Sequence, residues 1–165
     1  MSCKSAIPLP CGVTLIAGLL WGGACATDAG RTLGIDSLHV FSVPTALDLD
    51  GTPGPDSFGL TLYASAAAAA RGVPITSGQV AIQMYDGSLP PGARTNTAPL
   101  RVWNFTAADL KNHAIKSSLG TGYRFTPRWE NTPPSGNSIT VVVRFVSPRQ
   151  TSIQSSPTAI AVTAK

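Results

Sequence analysis

The densest run of side chains that could do chemistry is Asp48-Leu49-Asp50-Gly51-Thr52-Pro53-Gly54-Pro55-Asp56. Calcium takes several oxygen ligands, and alternating aspartates around a glycine can supply some of them. The spacing is not that of an EF-hand, which needs a further close acid and a terminal bidentate Glu. The same residues also spell a turn, because Asp and Gly accept uncommon backbone angles and Pro fixes φ. The turn is the leading expectation. Asp48, Asp50 and Asp56 stand beside it as a candidate calcium site of weak affinity, and no other cofactor is expected.

His39 and His113 lie far apart and in no metal-ligand spacing. With no cysteine after Cys25, a closed zinc site would have to draw on carboxylates. Ser, His and Asp all occur, but no G-x-S-x-G elbow is present, so a hydrolase reading has no motif behind it. No catalytic residue is assigned and the chain is read as a non-enzyme. Aromatic rings are the other candidates. Trp103 and Phe105 share one strand parity, and Tyr123, Phe125 and Trp129 share another. Trp103 and Trp129 are the candidate ligand-facing rings. The competing role is core packing, since each large ring buries about 150–250 Å2 in typical domains.

The composition is 43% hydrophobic and only 12% charged, against about 25% charged in an average soluble domain. The chain is therefore neither disordered nor typical of a highly charged cytosolic protein. The net charge of +4 comes without a Lys/Arg run, and Arg101, Arg124, Arg128 and Arg144 are scattered singly. Nucleic-acid binders cluster such residues on one face, so no nucleic-acid partner is expected.

Residues 1–26 read as an export signal. Lys4 is followed by the apolar run Gly12 to Trp21 and then by Gly22, Gly23, Ala24, Cys25 and Ala26. The apolar run is shorter than the roughly 20 residues of a bilayer-spanning helix. Ala24-Cys25-Ala26 fits a cleavage site of a free periplasmic or secreted protein. Gly23-Ala24-Cys25 fits the end of a lipobox, which would leave a lipidated Cys25 as a membrane anchor. Residues 27–34 would form a short tether and 35–165 one domain.

That domain parses as short alternating runs between turn signals, the pattern of an all-β fold. Seven strands are expected: 35–41, 58–64, 79–85, 100–105, 123–129, 139–146 and 158–163. In the first, Ile35, Ser37, His39 and Phe41 share a face opposite Leu38 and Val40. Phe58, Leu60 and Leu62 should face inward, as should Val80, Ile82 and Met84. The sixth strand, apolar on both faces, should be central. The Ala-rich stretch 64–70 is a loop or a single turn. Thr106-Ala-Ala-Asp109 resembles a capping box and predicts one short helix with Leu110, Ala114 and Ile115 toward the core. The result is an antiparallel β-sandwich, immunoglobulin-like or transthyretin-like, with a barrel as the alternative.

GQVAIQMYDG, PLRVWNF, GYRFTPRW and SITVVVRFV, with the DLDGTPGPD loop and the RFVSPR strand end, resemble uncharacterised exported bacterial envelope lipoproteins with such a sandwich. The resemblance spans roughly residues 36–163 and implies location and fold, not an activity or functional residues. The leading expectation is a non-catalytic structural or interaction module of the cell envelope. It would be anchored through Cys25 or free in the periplasm, with an envelope protein or glycan as partner. The alternatives are a carbohydrate- or peptide-binding module and a hydrolase of unrecognised type.

Overall fold

The structure, a computed structural model, describes residues 34–89 and 97–163. The expected export signal, Cys25 and nearly all of the expected tether lie outside the described residues.

Nine strands build two antiparallel sheets, with no α-helix among the described residues. The strands are β1 (Ser37–Ser42), β2 (Leu60–Ser65), β3 (Gln79–Asp86), β4 (Arg101–Thr106), β5 (Ala114–Ser117), β6 (Gly120–Phe125), β7 (Ser138–Val146), β8 (Ser152–Gln154) and β9 (Thr158–Ala161). One sheet has the order β1-β2-β6-β5. The other runs β4-β3-β7, with β8 and β9 both pairing with the far edge of β7. The expected inward residues are in the core: Leu60 and Leu62 of β2, with Phe58 just before it, share one cluster with Val80, Ile82 and Met84 of β3. β7 is central and buried on both faces from Ile139 to Val143.

After β1 the chain crosses between the sheets. The Ala46 N–H donates to the Ala161 carbonyl at 2.7 Å, and the Ala161 N–H donates to that of Pro44 at 2.9 Å. This crossing ties the edge strand of one sheet to β9 of the other and closes that side of the sandwich.

β8 and β9 are one strand interrupted by a bulge. Arg144 lies opposite Gln154 but Val141 lies opposite Thr158, so the outer strand carries one extra residue. Buried Ser155 repairs the gap. Its backbone N–H donates to the Val143 carbonyl and its hydroxyl accepts the Val143 N–H at 3.0 Å. Pro157, which has no N–H to give a ladder, sits in this interruption.

The expected helix is instead a 3-10 helix, Asp109–His113. The capping-box residues do bond reciprocally. The Thr106 N–H and hydroxyl donate to Asp109 Oδ2 at 2.8 and 2.7 Å, and the Asp109 N–H donates back to Thr106 Oγ1 at 3.3 Å. The box therefore folds a strand end onto a tight turn rather than opening an α-helix. Leu110 is fully buried as expected, but Ala114 is exposed and begins β5. The physical reason is a competing ladder, in which Ala114 to Ser117 pair with Tyr123 to Gly120 of β6. β5 and β8 are the two strands the sequence pattern does not reveal.

Candidate recognition face

The outer face of the β1-β2-β6-β5 sheet gathers aromatic, apolar and basic side chains. Because side chains alternate along a strand, the burial of Leu38 sends Ser37, His39 and Phe41 of β1 outward, and the burial of Leu62 and Ala64 sends Thr61, Tyr63 and Ser65 of β2 to the same side. Register places His39 beside Tyr63, and Tyr63 beside Gly122 of β6. Gly122 has no side chain, and the Tyr63 ring fills its place: a Cβ there would lie 2.7 Å from the ring. The Tyr63 hydroxyl lies 3.1 Å from Ser117 Oγ, which fixes the far end of the ring. Phe41 stands edge-on to it, centroids 5.9 Å apart.

Phe41 is 57% exposed and Leu119 56%, although large apolar side chains gain by burial. Together with Tyr63 they line two adjoining hollows of about 350 and 540 Å3. Arg71 borders the first and Arg124 the second, and neither forms an ion pair among the described residues. At one end, His39 Nε2 lies 3.0 Å from Ser65 Oγ and 3.3 Å from Ser37 Oγ, with the two hydroxyls 2.7 Å apart. A histidine beside two serines is the start of a nucleophile arrangement. A working one also needs a group to orient the ring, and the nearest aspartate in sequence, Asp36, instead accepts the Ala67 N–H.

The aspartates of the acidic loop bond groups of the loop itself. The Asp48 carboxylate accepts the Gly51 N–H and Asp50 accepts the N–H and hydroxyl of Thr52. Asp56 accepts the Leu49 N–H at 2.8 Å. Asp56 Oδ2 also lies 3.4 Å from Arg128 Nε, and Asp56 and Trp129 are joined through their backbones. Hydrogen bonds from Thr52 hold the Asp50 carboxyl below the usual carboxylate range. Each aspartate thus closes a piece of the loop, and no group of three or more His, Cys, Asp or Glu among the described residues could hold a metal.

Trp129 is only 3% exposed and stacks on Phe58, centroids 6.4 Å apart, so it is a core ring and offers no ligand face. Its expected place on a strand is also corrected, because β6 ends at Phe125. Trp103 is half-buried, edge-on to Phe58 on one side, with the Arg101 guanidinium over it at 5.3 Å. That guanidinium also donates to the Trp129 carbonyl and pairs with Glu130 at 2.7 Å, which makes it a clamp on the end of the sandwich. His113 is wedged between Phe105 and Phe125, and its Nδ1–H donates to the Arg124 carbonyl. Phe41 is thus an exposed ring with half-buried Tyr63 beside it, whereas Trp129 is in the core and half-buried Trp103 lies under the Arg101 clamp on the other sheet. The alternation of Ser37, His39 and Phe41 pointed to the exposed ring. Nothing local marked Tyr63, whose position depends on a glycine 59 residues away in the chain.

No family model, curated protein or solved structure matches this chain.

Proposed function

We propose that this protein is a non-catalytic interaction module of the bacterial cell envelope that meets its partner through the outer face of the β1-β2-β6-β5 sheet. The observation that carries the reading is the patch formed by exposed Phe41 and Leu119 around the half-buried Tyr63 ring, bordered by Arg71 and Arg124. Contiguous apolar surface rimmed by polar groups is typical of interaction sites. Aromatic rings and arginine are the residue types enriched at such interfaces.

The strand order supports an immunoglobulin-type sandwich. β1-β2-β6-β5 corresponds to the A-B-E-D sheet, and β4-β3-β7 with the broken β8/β9 corresponds to C′-C-F-G. Such a fold hosts many functions and decides none of them. The envelope location rests on the export signal and on the resemblance of the sandwich segments. Lipid attachment at Cys25 would tether the domain to a membrane.

A carbohydrate- or peptide-binding role is the second reading, favoured by the pinned Tyr63 ring beside the hydroxyls of Ser37 and Ser65. Co-sedimentation of the full chain with isolated native envelopes tests both. Saturable binding is expected, weakened by about tenfold or more in the double variant Phe41→Ser, Leu119→Ser. Loss of binding after periodate oxidation of the envelopes favours a glycan, and loss after protease treatment favours a protein. Binding unchanged by the double variant contradicts the assignment of this face.

A further inference from the structure

A further cleft lies at the β5 edge and shares only Lys116 with the hollows of the aromatic patch. Between β5, the 3-10 helix and the segment leading into β3 is a cleft of about 570 Å3. That volume falls in the range of small-molecule sites, roughly 300–1,000 Å3. Its walls are apolar at Pro74, Ala107 and Ala108, and its polar lining includes Lys111, Lys116, Thr121 and Tyr123.

The polar groups are biased toward donation. Tyr123 is 97% buried by its 3% exposure, and its hydroxyl oxygen accepts the Ile75 N–H at 2.6 Å. The hydroxyl proton has no acceptor among the described residues. Burial pushes the phenol's pKa up, so it keeps that proton at neutral pH. Lys116 Nζ spends one hydrogen on Thr121 Oγ1 at 2.8 Å and has two left. Lys111 forms no ion pair among the described residues, and no carboxylate lines the cleft. An inward-pointing lysine on an edge strand also discourages strand addition, but that role explains neither Lys111 nor the buried phenol proton.

We propose that this cleft binds a carboxylate carried on a small apolar group, with its oxygens on Lys111, Lys116 and the Tyr123 hydroxyl and its apolar part against Pro74 and the alanines. The apolar walls favour such a ligand over a bare inorganic oxyanion, which would have to be desolvated there with no apolar contact in return. The carboxylate could belong to a free short-chain acid or to the C-terminus of a peptide.

The test is an NMR titration of the isotopically labelled full chain with butyrate, inorganic phosphate, and N-acetyl-Ala-Ala as the free acid and as the amide. Butyrate or the free-acid peptide should give saturable shifts at the Ile75, Thr121 and Tyr123 amides. The double variant Lys111→Ala, Lys116→Ala, both exposed positions, should weaken binding by about tenfold. Tyr123→Phe should weaken it while keeping the ring. Tighter binding of the free-acid peptide than of butyrate identifies a chain terminus as the source, and the reverse identifies a free acid. Absence of saturation with both acids, equal binding of the amide, preference for phosphate, or full affinity in the lysine variant overturns the proposal.

Discussion

Two glycines in one strand constrain the molecule in different ways. Gly120 has φ +103°, and a Cβ there would lie 2.5 Å from the Gly72 carbonyl oxygen and 2.6 Å from its nitrogen. Those backbone atoms are held by bonds from Gly72 to Leu119 and from Thr121 to Gly72. Gly120→Ala should therefore cost about 2 kcal/mol or more, read as a lowered urea midpoint. At Gly122 the obstacle is only the Tyr63 ring. Gly122→Ala should leave the core intact but push the ring aside, seen as loss of the Tyr63–Phe41 cross-peak in an NMR NOE spectrum. Asp86 sets an acid limit. Hydrogen bonds from the Ser135 hydroxyl and from the Gly136 and Ser135 backbone hold its carboxyl below the usual range. Because the folded value is the lower one, its contribution is complete above the unfolded pKa of about 3.9 and is lost as pH falls through the folded value. Melts at pH 5 and pH 2.5 should show a smaller acid loss for Asp86→Asn than for the parent chain. At this scale the sequence was legible where chemistry is local. The aspartates of the 48–56 loop bond backbone groups two to seven residues away. The Tyr63–Gly122 fit was hidden because it exists only through strand pairing.

The elements were legible in proportion to their alternation. β2, β3 and β7 have long apolar faces and were read with their inward residues. β5 and β8 are short edge segments, four and three residues long, with too little period to detect. The Thr106–Asp109 signal was real but described a 3-10 turn, because the ladder from Ala114 to Ser117 claimed the residues an α-helix would have needed. Thr106→Ala should still cost about 1 kcal/mol, since the reciprocal bonds are lost whichever turn they hold. The bulge gives a second check. Ser155→Ala removes the acceptor of the buried Val143 N–H and should cost about 1–3 kcal/mol. A denaturation midpoint unchanged by that substitution would mean that the interruption between β8 and β9 is satisfied in another way.

Among the described residues, the fold occupies its acids and leaves cations over. Asp36, Asp48, Asp50, Asp56, Asp86, Asp109 and Glu130 each accept a hydrogen bond within the domain. Only Arg101 and Arg128 are matched to a carboxylate among the described residues. The remaining basic side chains include Arg71 and Arg124 at the aromatic face and the two lysines of the cleft, so both proposed sites suit partners with negative charge. The central claim is that the outer face of the β1-β2-β6-β5 sheet is where the partner sits. Hydroxyl-radical footprinting of the full chain, free and bound to native envelopes, tests it directly. Phe41, Tyr63 and Leu119 should become protected, while exposed Leu100 and Val102, on or beside the edge strand of the other sheet, should label equally in both states. Protection at Leu100 and Val102 with unchanged labelling of Phe41 and Leu119 would contradict the account.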